Sequence, residues 1–192
     1  MKPSGVMGSA AGWVMAHRGS NRARNQWTVD LLNVQSGDCA LEIGCGPGLA
    51  LNSCLARVDV GKVIGLDHSQ TMLDQARARN AEAYRQGRLE LQLGNVDGFV
   101  VANGGFEKIY SVNVVQFLPD PATTFQKLYS HLKPNGVAAT TYLPRNKNPS
   151  RVDALEMAKN IAGHMEAAGF KNVRVEELPL RPFPAVCVLG ER

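Results

Sequence analysis

The sequence predicts a single α/β domain built on a doubly wound, mostly parallel β-sheet. Short apolar runs alternate with helical patterns from residue 39 to residue 178, and this alternation indicates a parallel sheet with helices on both faces. Only the segment 179–184 links the last two apolar runs. Because a parallel crossover needs about a dozen or more residues, the last two strands should form an antiparallel hairpin.

The strands and helices are predicted in order from apolar runs and capping residues. The first strand, 39–43, is followed by a helix after Gly48 and by a second strand, 63–67. Ser69 is a typical N-cap, and its helix should end near Gly87. The remaining elements are strands 89–93 and 106–114, a helix from Asp120-Pro121 to the turn 133–136, strand 137–142, a helix from the capping box Ser150–Asp153 to Gly169, and strands 173–178 and 185–189.

Composition excludes several classes of protein. The chain of 192 residues is long enough to bury a core without disulfides or metals. Its four cysteines form no C-x-x-C pair and have no histidine cluster nearby, so we expect no metal site, no disulfide framework and a reducing, cytoplasmic location. We also expect no transmembrane segment, because no apolar run is long enough to span a bilayer.

The net charge of +4 arises at the N-terminus. Residues 1–27 carry four basic residues and no acid, which leaves 17 of the 21 basic residues to balance 17 acidic ones. A neutral body does not indicate a broad nucleic-acid-binding surface. We interpret residues 1–27 as an arm or lid that leads into a helix, and residues 28–192 as the folded domain.

The turn after the first strand is the main functional signal. Glycines at 44, 46 and 48 let the strand turn sharply and let the backbone approach a ligand closely. The second strand ends at Asp67, nineteen residues after Gly48. An acid at this point suits a ribose diol, which donates hydrogen bonds to a carboxylate.

A nicotinamide or flavin dinucleotide is the main alternative for such a turn. Its fingerprint needs a third glycine three residues after the second, but Leu49 occupies that position and Gly48 comes one residue early. Glu42, two residues before the first glycine, completes an acid-x-Gly-x-Gly-x-Gly run. This run resembles the first motif of the class I S-adenosylmethionine-dependent methyltransferases, and the resemblance extends over roughly residues 27–190.

The resemblance implies a Rossmann-like, seven-stranded sheet with the last strand reversed, and S-adenosylmethionine as cofactor with S-adenosylhomocysteine as product. Within the family the glycine loop approaches the methionine moiety, and the acid after the second strand binds the ribose. Asn95 stands where relatives often carry an acid against the adenine amino group, and its carbonyl oxygen can accept the same hydrogen bond. The implied cofactor-binding residues are Glu42, Gly44, Cys45, Gly46, Gly48, Asp67, His68, Met72, Asn95, Val96, Asn113 and Gln116.

The sequence assigns no catalytic base. Asn113 and Gln116 are neutral amides and cannot act as one. His17, Tyr110 and Tyr142 are the candidates to test, and His17 belongs to the arm that we expect to fold over the site. Arg22, Asn25 and Trp27 are candidates for the same lid or for acceptor binding, although Trp27 is more typical of a packing anchor.

The methyl acceptor is predicted to be a small or lipid-like molecule. The chain has no sizeable insertion after the fifth strand or between the final strands, where many relatives build a substrate cap. It lacks the Asn-Pro-Pro-aromatic run and the Pro-Cys pair of familiar nucleic-acid methyltransferases, so no nucleic-acid partner is expected. A cofactor-binding relative without catalysis and a dinucleotide oxidoreductase remain as alternatives.

Overall fold

The structure is a computed structural model that describes residues 6–101 and 104–192, with side chains from Gly19 onwards. A 3-10 turn, Val115–Phe117, follows the fourth strand. The helices are α1 Val6–Leu31, α2 Leu49–Leu55, α3 Gln70–Arg79, α4 Ala81–Arg85, α5 Pro121–His131 and α6 Arg151–Ala168. The strands are β1 Cys39–Ile43, β2 Lys62–Asp67, β3 Leu89–Leu93, β4 Phe106–Val112, β5 Leu132–Tyr142, β6 Lys171–Leu178 and β7 Ala185–Glu191.

The seven strands form one sheet in the order β3-β2-β1-β4-β5-β7-β6. Strands β1 to β5 pair in parallel, and β7 runs antiparallel to both β5 and β6. The predicted sheet with a reversed C-terminal hairpin is therefore confirmed. The strand order reverses between β1 and β4, and ligands of such sheets bind at this switch point, beyond the carboxyl ends of the strands.

Helices cover both faces of the sheet. On one face α1, α2 and α3 pack on a core that includes Leu32, Leu51 and Leu73. On the other face α5 and α6 contribute Phe125 and Ile161 to a second core. The inner strands are buried on both sides, which explains why their sequences are continuous apolar runs.

Helix α1 continues through the boundary that we placed between residues 27 and 28. The Oγ1 atoms of Thr28 and Thr141 lie 2.6 Å apart, which attaches the helix to β5. Val29 and Leu32 are buried in the core below. The C-terminal part of α1 is thus a packed element of the domain, and the predicted boundary falls inside a continuous helix.

Several element ends differ from the sequence predictions. The helix expected from Ser69 to Gly87 is interrupted at Asn80, whose Nδ2 donates to the carbonyl oxygens of Gly48 at 3.1 Å and Ala76 at 2.9 Å. Strand β4 stops at Val112 because Asn113 adopts a left-handed backbone with φ 58°. Residues 133–136 belong to β5 and not to a turn.

Helix α6 begins and ends as predicted. Ser150 and Asp153 form the capping box, and Gly169 ends the helix with φ 101°. Strand β6 begins two residues earlier than predicted, at Lys171, and strand β7 ends two residues later than predicted, at Glu191. In the part of the chain that the structure describes, no helix is long and apolar enough to cross a membrane.

Candidate functional site

The three positions of the loop after β1 require glycine for different structural reasons. All three have positive φ, at 64° for Gly44, 50° for Gly46 and 78° for Gly48. A Cβ on Gly44 would lie 2.4 Å from a methyl carbon of Val114, and one on Gly48 would lie 2.7 Å from Asn80 Nδ2. These two glycines are required by packing between elements of the fold.

Gly46 is different because none of the described residues fills the space beside it. A Cβ on Gly46 would have no heavy atom within 4 Å. This glycine therefore presents bare backbone to open space at the switch point. Such a surface lets a ligand lie directly against the main chain.

Asp67 holds the glycine loop to the end of β2. Its Oδ2 accepts a hydrogen bond from the Gly46 N–H at 2.8 Å, and its Oδ1 accepts one from the Ser69 N–H at 2.9 Å. The side chain is buried, and Ser69 in turn caps α3. One carboxylate thus positions both the loop and the start of a helix.

A cavity of about 190 Å³ lies at the carboxyl ends of β1 and β4, and we call it the switch-point cavity. The glycine loop and Asn113 form part of its wall. Helix α1 adds Asn21 and Asn25, and the loop after β5 adds Arg145. The wall is therefore polar and draws on four separate segments of the chain.

Glu42 lines this cavity from the middle of the sheet. It is only 2% exposed, and its Oε2 makes no hydrogen bond of normal geometry, although the carboxyl interacts with the Tyr110 hydroxyl and the Leu51 backbone. Burial raises the pKa of the Glu42 carboxyl well above its usual range, and the nearby charge of Asp67 adds to this. A buried carboxylate oxygen without a partner is costly unless a ligand supplies a donor.

A second cavity, of about 540 Å³, lies at the carboxyl ends of β2 and β3, and we call it the β2–β3 cavity. Its wall is largely neutral and includes the apolar side chains Leu66 and Phe99. His68 lies at its edge with 88% of its side chain exposed and Nδ1 3.6 Å from Asp67 Oδ1. Asp67 lines neither cavity, but its neighbours Leu66 and His68 line this one, and its hydrogen-bond donor Gly46 lines the switch-point cavity.

Asn95 lines the β2–β3 cavity but is already engaged. Its Oδ1 accepts hydrogen bonds from the backbone N–H groups of Asp97 and Gly98, both at 3.1 Å. This is the oxygen for which we predict a contact with an adenine amino group, and in the structure it holds a turn. Val96 is buried in the core, and Met72, on the first turn of α3, is half-buried and outside both cavity walls.

Beyond β4, Asn113 lines the switch-point cavity and Gln116 lies next to it, outside both cavity walls. The Asn113 Oδ1 accepts from the Leu143 N–H at 2.8 Å, which ties the end of β4 to the end of β5. Gln116 Nε2 donates to the Asn113 carbonyl oxygen at 2.9 Å, and Gln116 Oε1 is buried without a partner. Cys45, in the glycine loop, is a buried free thiol.

Neither of the two candidate bases whose side chains the structure describes lines the switch-point cavity. Tyr110 is fully buried beside Glu42, its register partner across β1 and β4, and burial raises the pKa of its hydroxyl. Tyr142 is buried in the α5–α6 core, and burial is also the main cause that raises its pKa. The side chain of His17 lies outside the described residues.

Sequence reasoning did not identify Arg145, Asn21 or Arg24 as site residues. The available signal was the arm itself, because its arginines have no acid within the same segment. Trp27 packs against the core on the α1 side, as a packing anchor would.

The comparisons with known proteins agree with this architecture. Residues 40–136 match the family model described as a methyltransferase domain. The Bacillus subtilis (strain 168) protein named uncharacterized methyltransferase YdaC is 29% identical over 182 residues, which cover 95% of this chain and 97% of that protein. Trans-aconitate 2-methyltransferase of Methylobacterium radiotolerans is 38% identical over 100 residues, covering 52% of this chain and 36% of the relative.

The coverage of these relatives differs. The 24-methylenesterol C-methyltransferase 2 of Oryza sativa subsp. japonica is 26% identical, and the match covers 87% of this chain but 50% of that protein. The chain thus spans nearly the whole Bacillus protein but only half or less of the other two relatives named here.

Solved structures show the same fold. The complex of the Haloferax volcanii Trm112 methyltransferase activator with a putative methyltransferase contains a chain that matches with a TM-score of 0.72 and 17% identity, over 99% of both chains. A SAM-dependent methyltransferase from Aquifex aeolicus matches with a TM-score of 0.69 and 17% identity, over 87% of this chain and 88% of that one. Because the methyltransferase domain model covers half of the sequence, the chain belongs to this family, and it is an S-adenosylmethionine-dependent methyltransferase.

Proposed function

We propose that the protein transfers a methyl group from S-adenosylmethionine to a small-molecule or lipid-like acceptor and releases S-adenosylhomocysteine. The observation that carries this proposal is the buried, unpartnered oxygen of Glu42 at the wall of the switch-point cavity. A carboxylate in this position fits a ligand that brings a hydrogen-bond donor, such as the ammonium group of an amino acid.

Three groups along the two cavities fit the parts of this cofactor. The bare backbone at Gly46 leaves room for a chain lying against it. Asp67 already accepts two backbone hydrogen bonds, but a carboxylate has about four lone-pair sites, so it retains capacity for ribose hydroxyls. The β2–β3 cavity then takes the adenine ring, with His68 at its edge and Leu66 in its wall.

The chemistry requires alignment more than acid–base catalysis. The sulfonium methyl of this cofactor is already electrophilic, so the protein has to hold an acceptor in line and exclude water. Asn113 and Gln116 contribute neutral, hydrogen-bonding surface near the end of β4. Among the described residues of the switch-point cavity there is no histidine, so an acceptor that is itself nucleophilic fits best.

The elements around the end of β4 support a small or lipid-like acceptor. Helix α1, the 3-10 turn 115–117 and the loop 143–150 surround the end of β4, and the described chain has no larger element there. The relatives support both classes, since their names refer to trans-aconitate, demethylmenaquinone and 24-methylenesterol. A panel of a polycarboxylate, a quinol and a sterol is therefore the first acceptor screen.

We also propose that the N-terminal arm acts as a lid. Asn21 and Asn25 of α1 line the switch-point cavity, and a lid at this place excludes water from the reacting groups. Hydrogen exchange across residues 15–27 should slow when S-adenosylhomocysteine is added. Equal exchange in both states, with full activity after deletion of residues 1–20, would reduce the arm to a structural helix.

Ligand binding tests the cofactor directly. Mass spectrometry of small molecules retained by the purified protein should find S-adenosylmethionine or S-adenosylhomocysteine. Titration calorimetry should show binding of both and no binding of NAD. Binding of NAD alone would overturn the proposal and restore the oxidoreductase alternative.

A cofactor-binding protein without catalysis is the second candidate. It is favoured by the burial of Tyr110 and Tyr142, which leaves the described cavity wall without a candidate base. Transfer of labelled methyl to any member of the acceptor panel excludes this candidate. Tight S-adenosylhomocysteine binding without transfer to a broad panel of oxygen, nitrogen, carbon and sulfur acceptors would support it.

A further inference from the structure

Arg24 is a buried cation without a carboxylate partner. It is only 2% exposed, its Nε has no hydrogen-bond partner, and none of the ion pairs in the described part of the chain includes it. Residues 1–29 contain no Asp or Glu, so the preceding part of α1 offers no counter-charge either. Arginine is almost never fully buried unless it is paired.

The fold holds Arg24 at this place from two sides. Its carbonyl oxygen accepts from Thr28 Oγ1 at 2.8 Å, and Thr28 lies 2.6 Å from Thr141 on β5. Its Nη2 donates to Asn21 Oδ1 at 3.0 Å, and Asn21 lines the switch-point cavity. The guanidinium therefore lies directly behind a wall residue of the cavity.

A second arginine reaches the same region from the far end of the chain. Arg145, in the loop after β5, lines the switch-point cavity. Burial first, and the charge of Arg145 second, lower the pKa of Arg24 to about 10, so Arg24 remains charged at neutral pH. The two arginines thus repel each other electrostatically, and neither forms an ion pair with an acid among the described residues.

We infer that Arg24 and Arg145, with Asn21, form an oxyanion subsite that binds a carboxylate or phosphate group of the methyl acceptor. The inference rests on the proposed function, since it concerns the acceptor of the same reaction. Arginine presents several N–H donors in a fork that matches the geometry of both oxyanions. An anionic acceptor would also supply the counter-charge that Arg24 lacks.

Charge balance favours the acceptor over the cofactor as the source of the anion. The amino-acid end of the cofactor carries one ammonium and one carboxylate, so it adds no net charge, while the sulfonium adds one positive charge. Glu42 is the acid in the described wall of the switch-point cavity, and when it is ionised against the cofactor's ammonium group its single negative charge only matches the sulfonium. Arg24 and Arg145 therefore keep an excess of positive charge after the cofactor binds.

Calorimetry on the full-length protein saturated with S-adenosylhomocysteine tests the subsite. Citrate serves as the carboxylate probe, inorganic phosphate as the phosphate probe and choline as the cationic control. We expect at least one of the two anions to bind and choline not to bind. Arg145→Ala should weaken the binding of that anion by about tenfold or more, because the substitution removes charge-assisted hydrogen bonds. Lys147→Ala, in the same exposed loop, is the matched control and should leave the affinity for the anion unchanged.

Arg24→Gln should weaken the same anion, and Arg24→Lys should restore part of the affinity. If Arg24→Gln lowers the melting temperature too far for binding measurements, the Arg145→Ala result alone decides whether the subsite exists. Two outcomes overturn the subsite and leave the proposed function intact. In the first, S-adenosylhomocysteine binds but neither anion does. In the second, Arg145→Ala weakens the binding of S-adenosylhomocysteine and not the binding of the anion. Failure of the wild-type protein to bind S-adenosylhomocysteine would overturn the proposed function itself.

Discussion

The two cavities beside Asp67 differ in charge and in origin. The switch-point cavity is small and polar, and it combines Glu42 and Arg145 with α1 and the glycine loop. The β2–β3 cavity is larger, largely neutral, and is built from two neighbouring strands and the loops that follow them. The first is suited to charged groups, whereas the second is suited to the shape of a ring.

This difference indicates how one ligand can be recognised in two ways. Charged contacts in a partly buried site are strong but need a matching partner. Apolar and stacking contacts tolerate variation and depend on buried area. Substitutions in the two cavities should therefore differ in size of effect, and adenosine, which lacks the amino-acid end, should report on Asp67 and the β2–β3 cavity but not on the switch-point cavity.

The largest effect is expected from Gly46→Val. A valine side chain would fill the open space beside the loop, so measurable binding of S-adenosylhomocysteine should be lost. Gly87→Val is the matched control, because Gly87 also has positive φ, at 74°, and open space around it. Both variants should lose about 1–2 kcal/mol of stability from backbone strain. Calorimetry and thermal melts on the pair measure the two effects, and retained binding in Gly46→Val would show that the loop is only structural.

Asp67→Ala should reduce the affinity for S-adenosylhomocysteine and for adenosine alike, by about tenfold to a hundredfold. A hydrogen bond to a charged group contributes about 1.5–3 kcal/mol, and the ribose is common to both ligands. The melting temperature should also fall, because Asp67 holds the Gly46 and Ser69 N–H groups. Asp74→Ala, at an exposed position of α3, is the control. Unchanged affinity would remove the ribose contact from the model of the site.

Glu42→Gln should separate the two cavities. It removes the charge that faces the amino-acid end, so S-adenosylhomocysteine should bind about tenfold to a hundredfold more weakly, the effect of losing a charged hydrogen bond of about 1.5–3 kcal/mol. Adenosine should bind as it does to the wild type. An equal loss for both ligands would mean that Glu42 supports the loop and does not contact the ligand.

The same variant should change the pH dependence of stability. The folded-state pKa of Glu42 is raised, chiefly by burial, so its stabilising contribution is present below the unfolded pKa and is lost as pH rises towards the folded pKa. Glu42→Gln should therefore make the apo protein more stable at neutral pH and flatten this decline. Chemical denaturation between pH 5 and pH 8 measures it, and a parallel decline in both proteins would contradict the assignment.

The smallest effect is expected from His68→Ala. The side chain is exposed at the edge of the β2–β3 cavity, so it can stack on only one side of a ring. We expect a loss of about 1 kcal/mol, or about fivefold, for adenosine and S-adenosylhomocysteine alike, with no change in melting temperature. A loss confined to S-adenosylhomocysteine would contradict the placement of the ring in this cavity.

The sequence by itself determined the sheet, the reversed hairpin and the glycine loop. These features depend on local information, because strand runs, capping residues and a connection too short for a crossover are all read within a few neighbouring residues. Asp67 was predicted for the same reason, since it directly follows a buried strand. The capping box Ser150–Asp153 is equally local.

Only the tertiary structure decided which charges meet. Arg24 and Arg145 approach each other because α1 packs on β5 and the strand order reverses at the switch point, and no local pattern encodes that meeting. The burial of Tyr110 and the engagement of Asn95 in a turn were decided in the same way. A residue's type and position in the sequence indicate what its side chain can do, but the packing of distant elements sets its solvent access and its partners.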